Sequence, residues 1–158
     1  MSSNANDPWV VFFYEAQMYV CTRVVHQRIV GTKEPDQILM NALVESALLH
    51  TRVLVDIILS RGSEKDTIRL EHLIPLWSES TELASTVESL KREYGSRSRE
   101  DSPCWVVNKM LAHPTLWRKN SYDYTAIFGR LDPIIKIALH QIGALSSRAD
   151  IQAYAHDL

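Results

Sequence analysis

Residues 41–59 read NALVESALLHTRVLVDIIL, and this stretch decides the fold. Twelve of the eighteen residues from Ala42 to Leu59 are apolar. A rod that apolar must be covered on almost every side, which makes it the expected central helix of a bundle. Glu45, His50, Arg52 and Asp56 interrupt it. A lipid-facing span would carry those charges at great cost, so the reading is a buried helix without a membrane partner. Asp36 supplies an N-cap for it, and the expected helix runs on to Arg61.

The segment before it has the same character. Val11, Tyr14, Met18, Cys21, Val25 and Ile29 recur at three- and four-residue steps, predicting a helix over Pro8–Val30 with that stripe as its inner face. Asp7-Pro8 is an N-cap followed by proline at the first helical position. Residues 31–35 form a short link, so the two rods fold back as an antiparallel hairpin.

Glycine and proline divide the rest. Gly31, Gly62, Gly95 and Gly143 each follow a periodic run, as residues tolerant of positive φ at helix C-termini. Ser102-Pro103 and Asp132-Pro133 repeat the capping pattern. The stretch 63–77 reads as a connection with room for a short helix. A helix follows over Glu79–Tyr94, with Leu83, Val87, Leu90 and Tyr94 as its seam and Glu88–Arg92 as an i,i+4 pair. A polar loop spans 95–102, and Pro103–His113 forms the next helix. A fifth begins near Asn120 or Ser121, with Pro133 kinking or restarting it, and Ser146 or Ser147 caps a short last helix. The expected fold is all-α: one up-and-down bundle of four to six helices over 1–158, with 1–7 disordered and 145–158 peripheral.

Composition narrows the function. Of 158 residues, 17 are basic and 19 acidic, a net charge of −2 that gives no electrostatic case for whole-surface binding of nucleic acid. The N-terminus has no basic region followed by an apolar one, and Cys21 and Cys104 are widely spaced, so the expectation is a cytoplasmic protein without a disulfide framework. No GxGxxG, GxxxxGK[ST], HExxH or GxSxG occurs, no Glu is followed by His three residues on, and no two histidines pair at i,i+4. No metal or cofactor is expected.

One constellation is left. Glu45, Arg52 and Asp56 fall within about 40° of one another on the helical wheel, whereas His50 lies roughly 140° from Glu45. Further on, Asn108 and Lys109 are polar residues of an apolar helix, and Lys109 and His113 stand at i,i+4. The charged strip reads either as a solvent edge with an Arg52–Asp56 ion pair, or as a pocket. In the pocket, Arg52 and Lys109 hold an anionic group such as phosphate and His113 transfers a proton. The candidate binding residues are therefore His50, Arg52, Asp56, Asn108, Lys109 and His113, and the catalytic candidates are His113 and Lys109.

These residues carry a resemblance. NALVESALLHTRVLVDIIL, followed by WVVNKMLAHPT at 105–115, resembles bacterial helical proteins whose helices read like LLESxLLHxRxLxDF and INKxLAHLT. Those are similar to the HEPN superfamily, and the resemblance covers about half the chain. It implies an up-and-down bundle that dimerises. Many HEPN proteins are metal-independent ribonucleases with an arginine four to six residues before a histidine. His113 matches the histidine, but Asn108, Val107 and Val106 stand where the arginine would be, and asparagine supplies no permanent charge.

Three functions follow from the sequence. The first is a non-catalytic interaction module, homodimeric and binding RNA or a nucleotide. The second is a ribonuclease using His113, Lys109 and Arg52. The third is a small-molecule sensor with a pocket lined by Trp9, Trp77, Trp105 and Trp117.

Overall fold

The computed structural model describes residues 7–32, 36–62, 64–112, 124–146 and 149–154. The elements are α1 (Pro8–Val30), α2 (Gln37–Ile58), α3 (Leu70–Leu73), a 3-10 turn (Trp77–Glu79), α4 (Thr81–Tyr94), α5 (Pro103–Ala112), α6 (Tyr124–Ser146) and α7 (Ala149–Tyr154). No strand occurs among the described residues. The protein is an all-α bundle.

Local chemistry sets the helix starts. The Asp7 carboxylate accepts from Trp9 N at 2.9 Å, and Asp36 accepts from Ile38 N and Leu39 N at 2.9 and 3.2 Å. Ser80 Oγ caps α4 through Leu83 N, and Ser102 Oγ caps α5 through Trp105 N. Each cap satisfies backbone N–H groups that the first turn leaves without a partner.

α1 and α2 run antiparallel, with Glu15 against His50 and with Val11 and Ile57 lining one cavity. α4 packs on α6, α5 crosses α2, and α7 lies against α6 and α1. The core runs from Phe12, Ala16 and Tyr19 of α1 through Leu54 and Ile58 of α2 to Leu131, Ile135 and Ile142 of α6. A smaller cluster joins Ala47, Leu48, Val107 and Phe128. Leu48, Leu54 and Ile58 are buried, as the two-rod hairpin requires.

The inner face of α1 differs from the expected stripe. Val11, Tyr14, Cys21 and Val25 face solvent, with Tyr14 52% exposed, whereas Phe12, Ala16, Tyr19, Val20 and Arg23 are buried. α1 is apolar all round, so spacing alone has two solutions. A polar tie selects between them. Arg23 donates from Nε and Nη2 to Asp132 Oδ2 at 3.2 and 2.8 Å, and Tyr19 donates its hydroxyl to Asp132 Oδ1. The Arg23 guanidinium also lies 3.8 Å from the Phe128 ring centroid. Burial, and after it the Asp132 charge, pushes the Tyr19 hydroxyl well above its ordinary value, so it stays a donor.

Asp132 therefore does not cap a helix. It sits with Pro133 inside continuous α6, and Pro133 withholds the N–H that would have bonded the Gly129 carbonyl. Gly143 also lies within α6, on its buried side, and Gly31 adopts an ordinary right-handed φ of −76°. α2 stops at Ile58, three residues short of Arg61, because Ser60 turns to φ 51°. It is covered on one side only. Ile38, Leu39 and Leu49 of its outer face are exposed, Ile38 by 83%. Among the described residues α2 is the one helix long and apolar enough to span a bilayer on length and composition. Glu88 pairs with Lys91 at 3.3 Å, and Arg92 with Glu93, in place of the expected Glu88–Arg92 pair. The start of the fifth long helix before Tyr124 and the capping position Ser147 lie outside the described residues.

Breaking the α1–α6 tie leaves a buried charge uncompensated. Asp132→Ala should lower the unfolding free energy by about 3 kcal/mol or more in urea titrations. Arg23→Ala added to it should cost far less than the sum of the two single changes.

Candidate functional site

The polar strip of α2 opens onto a cavity. Arg52 and Asp56 are one turn apart, 3.8 Å from Nε to Oδ2, and each side chain keeps 29% of its surface exposed. They line a space of about 330 Å³ with Val11, Ile57, Ile68 and Arg61. Asp66, from the exposed turn beyond Gly62, adds a second carboxylate to the same wall.

Arg61 reaches this place because α2 ends early. Had the helix continued, Arg61 would lie roughly 140° from Asp56 on the wheel and point away. The left-handed residue Ser60 and the glycine at 62, with φ 109°, redirect the chain. Ser60 is itself held: its hydroxyl donates to Glu71 Oε2 at 2.5 Å and accepts from Leu70 N at 3.3 Å. The Ser60 hydrogen bond holds the Glu71 carboxyl below its usual range.

The Arg61 guanidinium spans to α4 and α5. Nη2 donates to the Gly95 carbonyl at 3.0 Å and Nη1 to Cys104 Sγ at 3.5 Å, with the Tyr94 ring centroid 5.1 Å from Cζ. All of these partners are neutral. Among the described residues no carboxylate contacts Arg61 at ion-pair distance, and Asp56 is the nearby counter-charge, which Arg61 influences more than Arg52 does. Arg61 is also a wall of a second, more open cavity of about 480 Å³, shared with Gly62, Ser96 and Arg97.

The 95–102 loop is tightly built. Gly95 has φ 73°, and a β-carbon there would stand 2.7 Å from Ser102 Cβ. Ser102 is buried, with its Oγ 2.8 Å from the carbonyls of both Ser96 and Arg99. That packing fixes Ser96 and Arg97 beside Arg61.

Electrostatics in the cluster are mixed. Burial raises the Asp56 carboxyl above its ordinary value, and the charges of Arg61, Arg52 and Arg97 only partly offset this. Burial first, then Cys104 and Asp56, pushes the Tyr94 hydroxyl up. That hydroxyl is buried and has no hydrogen-bond partner among the described residues.

The other candidates separate. His50 Nδ1 lies 2.6 Å from Glu15 Oε2, both side chains nearly buried, and Tyr14 meets the imidazole edge-on at 5.9 Å. His50 is thus an α1–α2 tie away from the cavity. Asn108 Nδ2 donates to the Cys104 carbonyl at 2.7 Å and sits 3.6 Å from its Sγ, which places it behind Arg61 as a support. The Lys109 ammonium lies 5.9 Å from the Trp105 ring, about 100° around α5 from Asn108. Glu45 is exposed ~16 Å up α2 from Asp56. His113 lies outside the described residues, as does Trp117. Trp9 lines a separate groove near Pro75, Trp77 packs half-buried against the core, and Trp105 is inside it. Among the described residues no three His, Cys, Asp or Glu side chains gather as metal ligands.

Sequence reasoning found Arg52 and Asp56 but passed over Arg61, Ser96 and Arg97. The signals for them were Gly62 and Gly95, which mark where the backbone turns back. Compared with known proteins, the chain matches no family model, no curated protein and no solved structure.

Asp56 supplies a test of these electrostatics. A carboxyl whose folded value is raised is penalised by folding when ionised, fully above that value and not at all well below the ordinary 3.8. Asp56→Asn should raise the urea midpoint at pH 7, and the gap from the parent should close as pH falls from the raised value through 3.8.

Proposed function

We propose that the protein is a non-catalytic helical binding module that takes the phosphate of a nucleotide in the cleft around Arg61. The observation that carries this reading is the Arg61 guanidinium, fixed by the Gly95 carbonyl and Cys104 thiol and lacking a contacting carboxylate. A fixed guanidinium offers an anion its remaining N–H donors without further ordering. Arg97 and Arg52 stand on either side of it, in the two cavities that share Arg61. Arg52, Arg61 and Arg97 gather here in a chain of net charge −2, which favours a small phosphate-bearing ligand over a long RNA tract. Support for a binding rather than a catalytic role comes from the side chains around the cleft. Asn108 is engaged with its own helix, and Lys109 is turned toward Trp105.

The module acts as a homodimer. Its second copy covers the outer stripe of α1 beyond the cavity, where Tyr14, Met18, Cys21 and Val25 form an apolar strip without a charged side chain. Two copies of such a strip meet without opposing like charges, in the self-complementary manner of a two-fold interface.

Calorimetric titration with inorganic phosphate and with nucleoside monophosphates tests the first part. Arg97, exposed and outside the core, can be changed without unfolding the chain. Arg97→Ala should weaken phosphate binding on the order of tenfold, and added salt should weaken it further. Absence of binding in the parent protein would end the reading. For the dimer, light scattering should give twice the chain mass, and Tyr14→Glu should give the single mass. Cys21 should react with a thiol reagent faster on dilution, while buried Cys104 stays unreactive.

A further inference from the structure

The two cavities share one wall, Arg61. Beyond Arg61, the space at Gly62, Ser96 and Arg97 is the more open of the two and is bounded by the Arg97 guanidinium. On the near side, the space along α2 is bounded by apolar side chains of Val11, Leu49, Val53, Ile57 and Ile68. Arg52, Asp56, Arg61, Asp66 and Thr67 complete the lining. Asp56 is the carboxylate of α2 that faces the cavity, and its partner Arg52 touches it only at 3.8 Å, longer than a hydrogen bond. Its oxygens thus keep acceptor capacity that the ion pair does not use, on a side chain that still reaches the cavity.

We infer that the cavity along α2 seats the base of the bound nucleotide against its apolar side chains, with Asp56 accepting hydrogen bonds from the base's N–H edge while Arg61 and Arg97 hold the phosphate. This rests on the phosphate reading above and extends it to the class of base. A carboxylate accepts and cannot donate at neutral pH, so it favours an edge with adjacent N–H donors and disfavours one presenting carbonyls. Guanine offers two neighbouring donors, a ring N–H and an amino group. Uracil flanks its single N–H with two carbonyl oxygens that would face the Asp56 oxygens. The apolar walls accept either ring and supply no choice between them; the carboxylate supplies it. The cavity, about 330 Å³, falls in the range of small-molecule sites. Asp66, on the same cavity but exposed, is the competing acceptor and serves as the control.

The experiment is calorimetric titration of the full chain with guanosine, adenosine, cytidine and uridine 5′-monophosphates, with inorganic phosphate alongside. The parent protein should bind the guanosine nucleotide about tenfold more tightly than the uridine one. That comparison needs no substitution, so it holds whether or not variants fold. Asp56→Asn should bring the two nucleotides to within about twofold while retaining inorganic phosphate binding, because it removes the reader and a charge that opposes the anion. Asp66→Asn should leave the preference in place. Equal binding of the two nucleotides by the parent, or a preference that survives Asp56→Asn, overturns the assignment of Asp56 and leaves the phosphate cleft standing. A preference abolished by Asp66→Asn alone overturns it too. Failure of every ligand to bind, inorganic phosphate included, overturns both.

Discussion

The buried contact of Arg23 and Tyr19 with Asp132 is the constraint on which the arrangement depends. α1 is a helix without a marked apolar side, and hydrophobic burial alone would let it rotate about its axis at little cost. Removing a guanidinium and a carboxylate from water is tolerable only if each finds the other in good geometry. Only one rotation of α1 brings Arg23 and Tyr19 together onto Asp132. That rotation drives Phe12 and Ala16 inward and leaves Tyr14, Cys21 and Val25 outside. The tie thus acts through specificity: it makes one of several comparable packings the single low-energy one. The Glu15–His50 contact does the same for the axial register of α1 on α2.

The cleft is a second consequence of where a helix stops. α2 supplies Arg52 and Asp56 by simple periodicity, but the cationic centre comes from the residue just past its end. The Ser60 turn places Arg61 between three helices, and neutral acceptors on α4 and α5 immobilise it. Held by a carbonyl and a thiol, Arg61 keeps N–H donors for an anion, while the nearby Asp56 charge offsets part of its field. The raised value of Asp56 fits the same picture: burial outweighs three nearby guanidinium charges.

Much of this was legible in the residues, and the misreadings have physical causes. The caps at Asp7 and Asp36 and the α1 boundaries follow from short-range rules and were readable directly. The buried seam of Leu83, Val87, Leu90 and Tyr94 was readable because α4 is strongly amphipathic. α1 was misread because its two faces differ by a polar tie to a residue more than a hundred positions away. Asp132-Pro133 looked like a helix start because the same dipeptide is used that way elsewhere, and only tertiary pairing of Asp132 explains a proline within α6. Arg52 and Asp56 were found by spacing. Arg61 was not, since an expected helix through residue 61 turned it away.

The close approach of Gly95 and Ser102 bears on how this surface can change by mutation. The 95–102 loop is polar and largely exposed, the type of segment in which substitutions usually accumulate freely. Here the freedom is uneven. Positions 98–100 can drift, but any side chain at 95 collides with Ser102, and loss of the Ser102 hydroxyl unties the backbone on both sides. Two small residues that look interchangeable in the sequence are therefore the pair least open to replacement, and relatives that alter one should be found to have rebuilt the whole loop.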